Sequence, residues 1–428
     1  MPSLAADLEF RGLIHQVSDR DLLARLDASQ VTLYSGFDPT SDSLQIGNLL
    51  QLCTLRRFQI AGHAPIALAG GATGVIGDPG GRDEERQLLT RAEIAANLEG
   101  IAPQLERFLD FSPSSGPSAA RLVDNAAWLG EVPMLEFLRD VGKHFTVNQM
   151  IQKESVRSRI ERPEQGISYT EFSYMLLQAA DFLHLHRELG CDLQIGGSDQ
   201  WGNITAGIEL IRRVTGERAY AMTSPLVLRA DGRKFGKSES GALYLSADRT
   251  SPYELYQYFV RSEDSVVGAY LRFFTFYTHE EIAALDEAVA AHPERREAQV
   301  ALARAIVDLV HGEAETARVV RASEALFSEA VVSFDESTLL MVLDGAPSST
   351  APRSALDGDG VELVSLLVSS GLVASNGQAR KTIEQGGAYV NNRRASGDAP
   401  KVTAADLICD RYVVLRRGKR ELHLVTFS

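Results

Sequence analysis

Between Val31 and about Leu228, short apolar runs such as PIALAGGA and LQIGG alternate with stretches of helical period, among them the amphipathic NLLQLCTLRRFQIAG. That alternation predicts an α/β fold, a parallel sheet flanked by helices, over residues 1–228. A polar portion at about 125–165, containing LRDVGKHFTVNQMIQKESVRSRI, reads as mostly helical and inserted between the two halves of the sheet. A loop and connection follow at 229–250, and from Ser251 onward nearly everything has a helical period. Residues 251–330 are therefore expected to form a separate all-α domain. The stretch DGAPSSTAPRSALDGDG is too rich in Pro, Ser, Gly and Asp to fold alone and falls in an expected linker at 331–360. Beyond it, two short helices and a small twisted sheet suggest an α+β domain at 361–428.

With 428 residues, 44% hydrophobic and 23% charged, the chain can bury a sizeable core and divide into two to four domains. The start, MPSLAADLEFRGLIHQ, lacks a basic flank followed by an apolar run, and no stretch of 18 apolar residues occurs, so a cytoplasmic location is expected. Cys53, Cys191 and Cys409 are far apart and odd in number, which suggests neither a disulfide framework nor a metal pair. The net charge of −14 argues at first against a nucleic-acid partner. Residues 371–428, however, carry ten Lys or Arg against five Asp or Glu, which leaves about −19 on the preceding 370. A basic tail on an acidic chain suits RNA binding, and equally a merely solubilised small domain.

Two segments carry candidate chemistry. In YSGFDPTSDSLQIGNLLQL, 34–52, a strand ending at Tyr34 passes through Gly36, Asp38, Pro39 and Thr40 into a helix near Ile46, an arrangement that makes an anion pocket or simply a structural turn. In LRADGRKFGKS, 228–238, Lys234 and Lys237 flank Phe235 and Gly236 and precede Ser238; two cations on a Gly loop suit a leaving pyrophosphate, or an ordinary solvated surface. Tyr174, Gln178 and Asp181 are spaced to share one helix face, which is polar where a core helix is apolar. The neighbouring sequence offers no donor for a buried Asp181. His184 and His186, two apart, point to different faces, so a metal site there is not expected.

Together the two segments resemble the HIGH and KMSKS motifs of class I aminoacyl-tRNA synthetases. GGATGVIGDP (70–79), GKHFTVNQMI (142–151), TEFSYMLLQAADF (170–182) and LQIGGSDQWGNITAG (193–207) between them look like tyrosyl-tRNA synthetases of the bacterial type, and the resemblance runs over essentially the whole chain. It implies a Rossmann-like catalytic domain, a helical anticodon-side domain and a small terminal RNA-binding domain. It also implies that ATP with Mg²⁺, L-tyrosine and tRNA(Tyr) are the partners and that the chain is a homodimer joined around residues 142–175.

Carried over residue by residue, Tyr34 and Asp181 would contact the substrate phenol, and Asp78, Tyr174 and Gln178 its ammonium group. Asn125 and Gln200 would complete that pocket. Ser35, Gly36, Asp38, Gly47, Gly197 and Asp199 would hold the nucleotide, with Leu226 and Val227 over the adenine; Asp199 has the alternative of capping the helix near Trp201. Adenylate formation is attack by an already ionised carboxylate on the α-phosphorus, so charge stabilisation matters more than a base. Thr40, Gln45, Asn48, Arg82, Arg86, Lys234, Lys237 and Ser238 are the candidates for it. Arg212 and Arg213 would steer the acceptor stem, and Arg380, Lys381, Arg416, Arg417, Lys419 and Arg420 the distal RNA. The chain departs from the family where it reads Gln45, Ile46, Gly47, Asn48 without either histidine, and at Arg82, often lysine. A weakened synthetase relative acting in RNA binding or tyrosine sensing is the alternative of another class.

Overall fold

The computed structural model describes residues 2–79, 88–153, 156–157, 160–161, 166–233, 235–238, 241–397, 399–418 and 421–428. The chain falls into two compact units, one of residues 1–250 with 258–310 and one of 251–257 with 311–428.

The first unit is organised by a six-stranded sheet of β1 (Gln16–Val17), β2 (Thr32–Phe37), β3 (Ala64–Ala69), β4 (Arg121–Asp124), β5 (Cys191–Gly197) and β6 (Tyr220–Ser224), in the order β1-β6-β5-β2-β3-β4. All pairings are parallel except β1 with β6. β3 is buried along its whole length, as a strand covered by helices on both faces must be. From β2 the chain moves outward through β3 and β4, then returns to β5 on the other side of β2. The connections at the carboxyl ends of β2 and β5 therefore diverge and leave a crevice. The insertion between β4 and β5 carries the short helices Ala126–Leu129, Met134–Asp140 and Val147–Ile151.

The Leu49–Ile60 helix, read from sequence as amphipathic, is buried on nearly all sides, with Leu49, Leu50, Leu52, Cys53, Thr54, Leu55, Arg57 and Phe58 inside. The reason is a second layer: helices Asp264–Phe274, His279–Ala291 and Glu297–His311 belong to the first unit and not to a separate domain. Arg57 donates to Thr275 O, and Arg11 donates to Arg272 O, Thr275 O and Tyr277 O, so the carbonyls ending the Asp264–Phe274 helix are closed by two buried guanidiniums. Asp7 lies 2.8 Å from Arg11 Nε and 3.7 Å from Arg57 Nη1, and His279 Nε2 is 2.9 Å away.

In the second unit, β9 (Ser348–Ala351), β11 (Ala388–Val390), β12 (Arg393–Arg394), β14 (Tyr412–Arg417) and β15 (Glu421–Phe427) form a sheet ordered β12-β11-β14-β15-β9; β10 (Val361–Glu362) and β13 (Lys401–Val402) pair separately, and β7 (Lys237–Ser238) with β8 (Gly241–Ala242) in the first unit. The stretch expected to be a linker is thus part of the fold: β9 pairs in parallel with β15. Helices Glu313–Ala325 and Glu336–Val342 bury Ala322, Leu339 and Val342 against Tyr412, Val414 and Leu424.

Burial alone would raise the Asp7 carboxyl, but hydrogen bonds from His279 and Arg11 and the charges of Arg11 and Arg57 hold it below its ordinary value of 3.8. A lowered folded value means a stabilisation present above about pH 4 and lost as pH falls below it. Asp7→Asn, which leaves two buried guanidiniums without their counter-charge, is expected to cost about 2 kcal/mol at pH 7. Urea unfolding at pH 7 and pH 3 checks this, the difference from the wild type shrinking at the lower pH.

Candidate active site

A cleft of about 410 Å³ opens at the carboxyl ends of β2 and β5 and is lined by Tyr34, Asp38, Thr73, Asp78, Tyr174, Gln178, Asp181 and Gln200, among others. The Tyr169–Leu189 helix supplies one wall. Ser168 caps it by accepting from Glu171 N, and Gly190, left-handed at φ 63°, ends it so that β5 can begin at Cys191. Tyr174, Gln178 and Asp181 do share the face turned to the cleft.

Asp181 is 1% exposed. Two donors meet it: Trp128 Nε1 at 2.7 Å on Oδ1 and Asn125 Nδ2 at 2.9 Å on Oδ2. The adjacent sequence indeed supplies neither donor: both come from the start of the insertion, more than 50 residues away. Trp128 is itself stacked on His184, with ring centroids 4.2 Å apart and planes 11° from parallel. Burial pushes the Asp181 carboxyl up to about 7; the Asn125 and Trp128 bonds work against that rise, while the charges of Asp38 and Asp124 add to it. Tyr34, across the cleft on β2, is fully buried against Phe182, and burial followed by the Asp181 charge raises its phenol well above 10. Its hydroxyl has no hydrogen-bond partner among the described residues.

A second polar group gathers around Asp78, Gln178 and Gln200. Gln200 Nε2 donates to Asp78 Oδ2 at 2.6 Å, and the buried Asn203 donates to Gln178 Oε1 at 3.1 Å, with Gln200 Oε1 at 3.4 Å and Asp78 Oδ1 at 3.5 Å. Asn203, unmarked by the sequence reading, organises three residues that were. Its signal was a lone amide on the otherwise apolar, buried face of the helix Trp201–Thr215, which carries Ile204, Ala206, Leu210 and Ile211. Tyr174 OH donates to Asp38 Oδ2 at 2.9 Å, an interaction between the expected ammonium and nucleotide sides.

Of the residues expected at a nucleotide, Ser35, Gly36, Thr40, Gly47, Gly197, Asp199, Leu226 and Val227 all line the cleft. The Trp201–Thr215 helix has Gln200 as its N-cap and no side-chain cap bond, while the Asp199 carboxylate lies over Gly197, 2.6 Å from where a Cβ there would stand. Gln45 and Asn48 cap each other: Asn48 Oδ1 accepts from Gln45 N at 3.0 Å and the Gln45 side chain accepts from the Asn48 backbone. The lysine-loop backbone is laced to this turn, since Leu243 N donates to Gly236 O and Ile46 N to Leu243 O. Gly236, at φ 92°, approaches Ile46 so closely that a Cβ would stand 2.7 Å from its Cγ2. Phe235 anchors the loop by stacking on Phe274 at 5.1 Å. Lys237 and Ser238 form β7, whereas Lys234, Arg82 and Arg86 lie outside the described residues.

Arg212 and Arg213 pair with Glu209, and Arg213 also donates to His144 O. In the second unit Arg380 and Lys381 are exposed on the Asn376–Glu384 helix, and Arg417 is half-buried, donating to Leu372 O. Arg416 departs from the expected RNA-facing set. It is 8% exposed, stacks 3.7 Å over Tyr389 and donates to Asn392 Oδ1, so its charge is committed inside the sheet. Lys419 and Arg420 lie outside the described residues. His186 is bound to Glu217 and Cys191 O. Among the described residues no group of three or more His, Cys, Asp or Glu is arranged to hold a metal ion, and no helix is long and apolar enough to cross a membrane.

A polar cleft at the switch point of a parallel sheet, beside a glycine-lysine loop, defines a nucleotide-handling class, and comparison with known proteins narrows it. Residues 26–328 match the family model of tRNA synthetases class I (W and Y), and the chain belongs to that family. Residues 343–425 match the tyrosine–tRNA ligase SYY-like C-terminal domain. Among relatives, the chain is 51% identical to a tyrosine–tRNA ligase of Roseiflexus castenholzii over 99% of both chains, and 53% identical to one of Opitutus terrae over 98% of both. Among solved structures it resembles a C-terminally truncated mitochondrial tyrosyl-tRNA synthetase of Aspergillus nidulans, with 34% identity and a TM-score of 0.68 over 76% of this chain and 94% of that one.

A phenol donates more strongly to a carboxylate than to a neutral carboxyl, and the value of about 7 puts the loss of the Asp181 carboxylate around neutrality. Tyrosine binding by the wild type is therefore expected to weaken about tenfold between pH 8 and pH 6. Asp181→Asn should flatten the profile; equilibrium dialysis of labelled tyrosine across that range checks both.

Proposed function

We propose that this chain is a tyrosine–tRNA ligase, which activates L-tyrosine with ATP to tyrosyl-adenylate and pyrophosphate and then transfers tyrosine to the 3′ end of tRNA(Tyr). The observation that carries the reading is the buried Tyr34 hydroxyl, without a partner among the described residues, in the cleft that also holds the buried Asp181 carboxylate. A substrate phenol placed there donates to Asp181 and accepts from Tyr34, satisfying both. A phenylalanine ring would leave them stranded. Asn125 and Trp128 hold Asp181 from behind, and Asp78, Tyr174, Gln178 and Gln200 take the ammonium and carboxylate ends.

The tyrosine carboxylate is ionised at neutral pH, so its attack on the α-phosphorus requires no base. The protein's task is to hold two anions in line and to stabilise charge on the departing pyrophosphate. Lys234, Lys237, Arg82 and Arg86 supply the positive charge for this, with the Thr40 and Ser238 hydroxyls as neutral donors. The mutual cap of Gln45 and Asn48 occupies amide oxygens, leaving amide N–H groups as neutral donors to phosphate. Ser35, Gly36, Asp38, Gly47, Gly197 and Asp199 hold the ribose and backbone, with Leu226 and Val227 against the adenine. Mg²⁺ arrives with the ATP phosphates rather than in a protein cage.

Arg212 and Arg213 steer the acceptor stem, and Arg380, Lys381, Arg417, Lys419 and Arg420 hold the distal RNA. The active species is a homodimer in the cytoplasm. In support of the dimer, the insertion and the start of the helix after it expose Met134 at 70%, Leu135 at 79% and Tyr169 at 70%, side chains that a partner surface would cover.

Tyrosine-dependent exchange of labelled pyrophosphate into ATP tests the reading. Exchange is expected in the wild type and lost in Lys234→Ala with Lys237→Ala; no exchange above that control overturns it. In the same assay Tyr34→Phe should narrow the preference for tyrosine over phenylalanine about tenfold, the worth of one unsatisfied buried group. Arg380→Ala with Lys381→Ala should raise the tRNA KM in charging several-fold and flatten its salt dependence, with exchange unchanged; equal charging would remove this surface from the RNA path.

A further inference from the structure

Two carboxylates that line the cleft, Asp181 and Asp38, are joined by a file of hydrogen bonds. Asn125 Nδ2 donates one hydrogen to Asp181 Oδ2 at 2.9 Å and the other to Thr73 Oγ1 at 3.0 Å. Thr73 Oγ1 in turn donates to Asp38 Oδ1 at 2.9 Å, and Tyr174 OH reaches Asp38 Oδ2 at the same distance. Asn125 Oδ1 is fixed by Ala72 N at 2.8 Å, so the amide cannot turn over without losing that bond. Thr73 has one hydroxyl hydrogen: receiving from Asn125, it must give to Asp38, and the direction of the file is set. The file is dry, with Thr73 3% and Asn125 0% exposed. Space for it depends on Gly70, where a Cβ would stand 2.1 Å from Asp38 Oδ1 and 2.5 Å from Thr73 Oγ1.

We infer that Thr73 is a positioning residue that couples the tyrosine subsite to the nucleotide subsite, so that each substrate tightens the binding of the other. The inference rests on the assignment of Asp181 to the phenol and Asp38 to the nucleotide. A phenol seated on Asp181 fixes that carboxylate and, with it, the Asn125 amide. The Asn125 amide then holds the Thr73 hydroxyl, which holds Asp38 in the orientation the nucleotide meets. Coupling of this kind is reciprocal and is carried by buried groups that polarise one another. Thr73 lines the cleft but carries no assigned substrate contact; it acts through Asn125 and Asp38, and the sequence offers no reason to single it out within GGATGVIGDP.

The test is the tyrosine Kd with and without a saturating non-hydrolysable ATP analogue, the ratio of the two being the coupling. The wild type should give a ratio of about fivefold or more. Thr73→Val, which keeps the shape and removes the hydroxyl, should bring the ratio close to one, and Thr73→Ser should restore it; a role in packing alone would predict the reverse order. Thr73→Ala serves in place of the valine variant if that one unfolds. A wild-type ratio of one, or a wild-type ratio in Thr73→Val, overturns the inference. Asp181→Ala separates this from the assignment beneath it. If that variant loses tyrosine binding while Thr73→Val keeps full coupling, only the relay is wrong. If Asp181→Ala binds tyrosine normally, the assignment itself falls.

Discussion

The fold's functional consequence turns on a carboxylate held almost entirely out of water. A buried Asp181 without partners would neutralise itself or unfold its surroundings. Here an indole N–H and an amide N–H occupy one oxygen each, which keeps the carboxyl near the edge of ionisation at neutral pH. The remaining polar capacity faces a hydroxyl, that of Tyr34, which has no partner among the described residues. Such a pair is stable enough to persist and unsatisfied enough to select a ligand that brings a donor and an acceptor on one atom. The rest of the first unit serves this arrangement. The order β1-β6-β5-β2-β3-β4 opens the crevice, the Tyr169–Leu189 helix presents Asp181, and the insertion after β4 returns Asn125 and Trp128 to it.

The Gln45–Asn48 turn and the loop beside it are joined by backbone more than by side chains. The glycine-lysine loop is tied to the Gln45–Asn48 turn through main-chain bonds at Gly236, Leu243 and Ile46, and Phe235 pins it to the helical layer of the same unit. This explains how a chain lacking both histidines of the usual motif still has an ordered turn. Gln45 and Asn48 cap one another, so the turn is held by two neutral amides where the family's motif carries histidines. The helical layer is thereby part of the catalytic unit, which accounts for the buried arginine pair that closes the carbonyls at the end of the Asp264–Phe274 helix.

Much of this was legible from residues alone. The alternation of apolar runs with helical stretches gave the parallel sheet, and the i, i+4, i+7 spacing of Tyr174, Gln178 and Asp181 gave the polar wall. What escaped was long-range. Trp128 lies far from Asp181 in sequence, and an indole at the start of a polar insertion carries no local mark of its partner; Asn125 was expected in the pocket by resemblance, but not as a donor to Asp181. The Leu49–Ile60 helix looked one-sided because the layer covering its second face begins about 200 residues later. The Pro- and Ser-rich segment looked like a tether, yet a strand of four small residues needs only one neighbour's edge to pair with, and β15 provides it. Arg416 looked like surface charge in a run of cations, but strand alternation turned it onto Tyr389.

The most direct measurement is a crystal structure of the full chain with tyrosine bound. The account requires the phenol oxygen to lie within hydrogen-bond distance of both Asp181 and Tyr34 OH, with the Trp128 and Asn125 bonds to Asp181 intact. A tyrosine whose ring points away from Asp181, or whose hydroxyl meets only solvent, would contradict it.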